Sequence, residues 1–274
     1  MGNVIVLNLL FKPRPYSERD LETISNWVSF FQERGLHVIA TPPAERDDVF
    51  DGLEVSNTDL FIPFPVQSFD TCDRWKAGLL RALQTDEHIS EDKFYYLWSA
   101  DFEFTEQSQD AANELLSYSG REELLVGTIK ASGTKNAIDK YGTNPLIKSW
   151  FPDEYQRMIN EGFSKPRSEL LRFSKSFLTT ALNRRWYPTE QTIFLILQCF
   201  WDQKSILSIQ FSNLQDSDEA RDNPNLVQQI ERMEVWLKYM WRDHERNWNR
   251  TEYLLKCEES SRISIEACRL LLFS

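Results

Sequence analysis

Short aliphatic runs alternating with amphipathic segments are the feature of this sequence that most narrows its fold. "VIVLNLL" (Val4–Leu10), "LHVIATPP" (Leu36–Pro43), "DLFIPFP" (Asp59–Pro65), "FYYLWS" (Phe94–Ser99) and "ELLVGTI" (Glu123–Ile129) read as strands. The internal Pro63 assigns the third of these to an edge or a strand end. Between the strands the apolar residues fall at helical spacing. Leu21, Ile24, Trp27, Val28 and Phe31 form one stripe, stopped by Gly35, and Trp75, Leu79, Leu80 and Leu83 form another in "SFDTCDRWKAGLLRALQT". A third helix is expected from about Glu106 to Tyr118. Strands alternating with helices imply an α/β fold, a mostly parallel central sheet with flanking helices, in which ligands sit beyond the carboxyl ends of the strands.

The second half changes character. Residues 144–201 read as mostly helical, broken at Pro152, Pro166 and Pro188. "SILSIQFSNL" is one more strand, and 223–259 is a long helical tail. The polar, breaker-rich "DSDEARDNP" (216–224) marks the boundary between a domain of residues 1–215 and a helical C-terminal extension of residues 216–274.

Composition excludes several classes of function. No apolar run approaches the roughly 18 residues of a membrane span, and the first residues lack the features of a signal peptide, so a cytoplasmic protein is expected. A net charge of −11 without a block of Lys and Arg argues against a nucleic-acid surface. Four dispersed cysteines and three histidines argue against a zinc site or a disulfide framework, and the thiols are expected to be free and buried.

The fourth strand runs straight into "ADFEF", where Asp101 and Glu103 alternate with Phe102 and Phe104. On extended backbone, residues i and i+2 share a face with Cα atoms roughly 6.6 Å apart. Two hard oxygen ligands so placed suit magnesium or manganese, which keep waters and share substrate phosphates. The bland alternative is an acidic loop at a strand end.

The order of elements, with a strand ending in the acid pair of "WSADFEF", resembles the nucleotide-diphosphate-sugar transferase fold of the GT-A glycosyltransferases, over residues 3–215. Glu stands at the second acid position, where Asp is commoner in that family. The resemblance implies a Rossmann-like GT-A domain, a metal (Mn or Mg) held by Asp101 and Glu103, and a donor site including Asn8, Arg74, Lys76 and Asp101. "FSKPRSELLRFSKSFL" resembles the acceptor-side segment, which points to Arg167, Glu169 and Trp186. "YPTEQTIFLIL" resembles the helix that opens with the catalytic base, here Glu190. Partners so implied are a nucleotide-sugar donor and a saccharide or small hydroxylated acceptor. Asn213, Asp216 and Asp218 are the residues available for a further metal ligand. Each residue also has a plainer role: Lys76 as a solvated helix residue, Glu190 as a helix-opening acid stabilised by the dipole, Ser168 as an N-cap.

Trp98, Trp150, Trp186 and Trp201 fall in stretches expected to border the cleft, although core packing accounts for most indoles, as for the stripe of Trp236, Trp241 and Trp248. The resemblance implies a glycosyltransferase of the hexosyltransferase class. Two alternatives stand beside it. A nucleotidyltransferase on the same fold would hold a triphosphate near Lys12 and Arg14, although the loop lacks glycine. A non-catalytic scaffold would act through the tail helix, by which the chain could also form a homo-oligomer.

Overall fold

A computed structural model describes residues 3–9, 16–41, 71–84, 93–130, 139–163, 166–184, 191–215, 225–244, 258–263 and 265–266. Six strands form one sheet: β1 (Val4–Asn8), β2 (His37–Thr41), β3 (Phe94–Ser99), β4 (Leu124–Lys130), β5 (Leu170–Ser174) and β6 (Ile206–Gln215). Their order across the sheet is β2-β1-β3-β5-β4-β6. Neighbours pair in parallel except at β5, which runs antiparallel to both β3 and β4. The expected strand at Asp59–Pro65 and the expected boundary at 216–224 lie outside the described residues.

Helices α1 (Glu18–Glu33), α2 (Thr71–Gln84) and α3 (Glu106–Ser117) follow β1, β2 and β3. Ser17 opens α1 and Thr105 opens α3, each in a reciprocal capping box with the residue three positions on. Gly35, at φ +75°, takes the chain out of α1 in the left-handed region that a side chain disfavours. A π-helical turn (Asp139–Thr143) leads into α4 (Asn144–Trp150) and α5 (Pro152–Asn160), then α6 (Lys175–Leu182), α7 (Gln191–Trp201) and α8 (Asn225–His244).

Period-two alternation along the strands divides the apolar side chains into two cores. One contains Val4, Val6, Ile39, Tyr95 and Leu97 together with Trp75 and Leu79 of α2, and it continues through α4–α8. The other contains Ile5, Leu7, Val38, Tyr96 and Trp98 with α1 and α3. Ile230, Met233, Leu237, Met240 and Trp241 of α8 belong to the first core, so the C-terminal helix shares the core of the sheet domain. The stripe expected on α2 holds for Trp75 and Leu79 but not for Leu80, which is 40% exposed.

Two expectations are corrected. Residues 144–201, expected to be mostly helical with breaks at Pro152, Pro166 and Pro188, also contain the strand β5. The strand begins two residues after Ser168, which therefore caps no helix; its Oγ accepts from the Leu170 N–H at 3.0 Å and donates to the Gly127 carbonyl. The expected helical tail is described over Asn225–His244 and again over 258–263; residues 245–257 lie outside the described residues.

Candidate active site

Each of the first three strands ends its apolar run on a polar residue, and the register brings those residues side by side. Asn8 pairs with Thr41 on one side and Ser99 on the other. In a parallel sheet, paired residues share a face, so the three form a polar row that continues the columns Val4–Val6, His37–Ile39 and Tyr95–Leu97. All three are buried, at 3%, 0% and 1% exposure. The Thr41 hydroxyl donates to the Leu7 carbonyl at 3.3 Å, and Ser99 Oγ accepts from the Asp101 N–H at 3.3 Å. Asn8 Oδ1 has no hydrogen-bond partner among the described residues. A buried acceptor left open is costly, which makes its position at a strand end informative.

Gly78 of α2 lies directly on this row. A Cβ there would stand 2.6 Å from Thr41 Cγ2 and 2.7 Å from Val6 Cγ1, so only glycine lets the helix approach so closely. Because α2 connects β2 to β3, its first turns, with Arg74 and Lys76, lie toward the carboxyl ends of the strands. The Arg74 side chain is outside the described residues. Lys76 Nζ donates to the Arg184 carbonyl at 3.4 Å, tying α2 to the chain leaving α6.

The acid pair follows directly. Strand β3 stops at Ser99, and Ala100 and Asp101 form a turn, so the extended geometry expected for Asp101 and Glu103 is not what places them. Aromatic packing does so instead. Trp27 Nε1 donates to the Phe102 carbonyl at 2.8 Å, Phe104 meets Trp27 edge-on at 5.0 Å between centroids, and Phe102 lies 5.7 Å from Trp98. With both phenylalanines committed inward, Asp101 and Glu103 are left exposed. Glu103 is engaged by Arg19 of α1, Nη2 to Oε1 2.7 Å, across 84 residues of sequence.

The reversed direction of β5 delivers the second group. Leu97 pairs with Leu171 and Gly127 with Leu170, so residues 166–169 reach the carboxyl ends of β3 and β4. There Arg167 Nε donates to Asp139 Oδ1 of the π-helical turn at 2.6 Å, with only 7% of the aspartate side chain exposed. Glu169 is half-buried nearby in sequence, before β5. Thr192, in the first turn of α7, donates from its hydroxyl to the Ser168 carbonyl, which brings the start of α7 to the same edge. Trp186 and Glu190 lie outside the described residues; the chain flanking them, Arg184 and Gln191, is at this edge.

Asn8, Lys76, Asp101, Glu103, Arg167 and the backbone of Arg74 and Glu169 are thus gathered at one edge of the sheet. The expected tryptophan lining is corrected: Trp98 and Trp150 are core residues at 0% and 1% exposure. Trp201 ends α7 at the opposite edge, stacked on His244 at 4.1 Å with its Nε1 donating to Glu154 at 2.8 Å. Thr41, Ser99, Arg19 and Thr192 were missed from the sequence. A detectable signal existed for the first two, since "VIVLN", "HVIAT" and "FYYLWS" each close on a polar residue.

The donor set can be judged for a hard divalent cation. It offers two exposed carboxylates, one of them exchangeable with an arginine, and no group of three acidic, histidine or cysteine side chains occurs among the described residues. The positions considered for a further ligand, Asn213, Asp216 and Asp218, fall outside the described side chains. Two protein carboxylates fit a magnesium- or manganese-type site completed by water and phosphate oxygens.

No protein-family model matches the chain, and no curated protein matches it in sequence. In structure it is similar to glucosyl-3-phosphoglycerate synthase from Mycobacterium tuberculosis, solved in complex with Mn2+, uridine diphosphate and phosphoglyceric acid. That likeness has a TM-score of 0.52 at 14% identity and covers 77% of this chain and 69% of the other. A structure described as a candidate nucleotide-diphospho-sugar transferase from Desulfovibrio desulfuricans aligns at a TM-score of 0.42 and 13% identity, over 88% of this chain and 99% of that one. The mixed, mostly parallel sheet with flanking helices is a fold this chain shares with glucosyl-3-phosphoglycerate synthase.

Proposed function

We propose that the protein is a metal-dependent glycosyltransferase that moves a hexose from a nucleotide-diphosphate donor to a hydroxyl of a small acceptor. The observation that carries this reading is the convergence, at the carboxyl edge of β1, β2 and β3, of a buried polar row with an open acceptor and an exposed acid pair. Ligands of open α/β sheets bind at such an edge. The complex of the fold neighbour with manganese, uridine diphosphate and phosphoglyceric acid supplies the ligand classes to examine first.

In this assignment Asn8, with Thr41 and Ser99 beside it, binds the nucleoside, its open Oδ1 accepting from a base or ribose donor. Asp101 and Glu103 would hold the divalent ion, which supplies a positive charge against the leaving diphosphate. Lys76 and Arg74 add charge from α2. Arg167 and Glu169 orient the acceptor from the far side, and Trp186 is assigned to the same acceptor. Glu190 takes the acceptor proton in an inverting reaction.

Thermal melting with uridine diphosphate and other nucleoside diphosphates, with and without Mn2+, tests the reading. A ligand at 100 times its Kd stabilises by about 2.7 kcal/mol. The expected result is a metal-dependent rise for one nucleotide that Asp101→Ala abolishes. A wild-type protein stabilised by no nucleoside diphosphate under either condition would refute it.

A further inference from the structure

Arg19 occupies a position that its own helix disfavours. It is the second residue of α1, where the positive end of the helix dipole opposes a cation, and the capping box of that turn is made by Ser17 and Asp20. Because α1 connects the parallel strands β1 and β2, its first turn lies toward the carboxyl edge of the sheet. Trp27, two turns on, fastens the helix to the Phe102 carbonyl, between the two acids in sequence. Across this junction Arg19 Nη2 donates to Glu103 Oε1 at 2.7 Å, with 76% of the arginine side chain and 68% of the glutamate side chain exposed. A pair so exposed changes an equilibrium constant by about fivefold at most, so the fold gains little from it. Lys76 and Arg167 are both more buried, the first tied to the Arg184 carbonyl and the second to Asp139.

We infer that Arg19 is a diphosphate-binding residue of the donor site, held in the ligand-free protein by Glu103 and exchanged from that carboxylate to the diphosphate when the donor binds. The inference rests on the reading of Asp101 and Glu103 as the carboxylates for the divalent ion. Charge supports it: on a chain of net charge −11, an anionic donor needs a cation within the site itself. Geometry supports it as well. Glu103 engages one nitrogen, Nη2, of a planar fork that can give a phosphate two parallel bonds, so the diphosphate offers the guanidinium more than the glutamate does. In the ligand-free protein the same guanidinium offsets the repulsion between two acids placed two residues apart. Arg19 therefore competes with a divalent ion for Glu103 and assists the diphosphate, two effects of opposite sign from one side chain.

Two binding constants of the full-length chain, compared between wild type and Arg19→Gln, test this. The first is for Mn2+ alone, read from the electron paramagnetic resonance signal of the free ion. The second is for uridine, guanosine and adenosine diphosphate by titration calorimetry at saturating Mn2+, the tightest of the three for wild type being carried forward. Arg19→Gln is expected to bind Mn2+ about two- to fivefold more tightly, the reach of an exposed pair, and the diphosphate about threefold or more weakly. Substitution at so exposed a side chain leaves the fold intact, so both constants are measurable on folded protein. A variant that binds Mn2+ no more tightly than wild type, or the diphosphate no more weakly, overturns the inference while wild-type binding leaves the acid-pair reading standing. A variant that loses affinity for both acts through the fold and overturns it too. A wild type that binds no diphosphate at saturating Mn2+ overturns the reading of the acid pair and the inference with it.

Discussion

Replacing Asn8 by valine separates what the fold requires at the end of β1 from what a ligand requires there. Asn8 is 3% exposed, and its Oδ1 has no partner among the described residues. A buried acceptor left open costs about 1–3 kcal/mol. Valine removes that acceptor and continues the column of Val4 and Val6 with a residue suited to a strand. The ligand-free variant is therefore expected to be more stable than wild type by about 1–3 kcal/mol, read as a Tm rise of about 2–4 °C per kcal/mol for a chain of this size. Its response to ligand should change in the opposite sense. At a nucleotide and Mn2+ concentration 100 times the wild-type Kd, wild type gains about 2.7 kcal/mol, and a variant binding tenfold more weakly gains about 1.4 kcal/mol. Melting curves of both proteins with and without nucleotide give all four values. The reasoning fails if the ligand-free variant is destabilised, since Asn8 would then serve the fold, or if both proteins gain equally from nucleotide.

Two further perturbations probe the scaffold. Arg172 is a fully buried guanidinium in the middle of β5, donating to the carbonyls of Tyr118 at 2.8 Å and Gly120 at 2.9 Å. Arg172→Met should cost about 3–5 kcal/mol in urea unfolding, the scale of breaking a buried charge network; a loss under 1 kcal/mol would show that the loop 118–122 does not depend on it. On α8, burial raises the pKa of Glu234 above its ordinary 4.5, with Glu258 adding to the shift and Lys238 opposing it. The sign follows from linkage: Glu234 favours the folded state below 4.5, and that contribution is lost as pH rises through the higher folded value. Glu234→Gln is accordingly expected to exceed wild type in stability at pH 7 and to match it at pH 4; equal stability at both pH values would contradict the shift.

Local pattern reached the first half of this fold because each of its elements declares itself locally. A strand buried on both faces reads as an unbroken apolar run, and α1 and α3 carry their own caps and stripes. Strand β5 is different. It has only five residues, "LLRFS", an arginine at its centre, and α6 starting at the next position with no turn residue between. Nothing local separates it from the helical periodicity around it, and Arg172 is tolerated inside a sheet only because the carbonyls of the α3–β4 loop surround it. Those partners lie 50 or more residues away, so the strand is specified by tertiary contacts. The candidate site was legible to the same depth. Asn8, at the end of β1, and Asp101, in the turn after β3, were within reach of local reasoning. The Arg19–Glu103 pair and the position of Arg167 depend on which strand lies beside which.

β5, the one reversed strand among the described residues, gives the candidate site its second side. Were β5 parallel to its neighbours, its leading segment would lie at the amino edge, and residues 166–169 would be remote from Asn8 and Asp101. Reversal turns that segment to the carboxyl edge and makes α6 run back toward it, so that Arg184 meets Lys76 and Thr192 meets Ser168. Arg172 then occupies a position of consequence without touching the site. It lies three residues beyond Glu169 and is fastened to the loop between α3 and β4. Burial pushes its pKa down, opposed by Tyr96, Glu122 and Tyr118, so the charge is retained at a cost that the loop carbonyls offset. A strand held by such a pin does not shift in register, since a one-residue slip would move the guanidinium to the opposite face of the sheet. The geometry of the far side of the site is therefore coupled to a buried cation near the middle of the sheet, and a substitution there should disturb both stability and the side of the site that Arg167 borders.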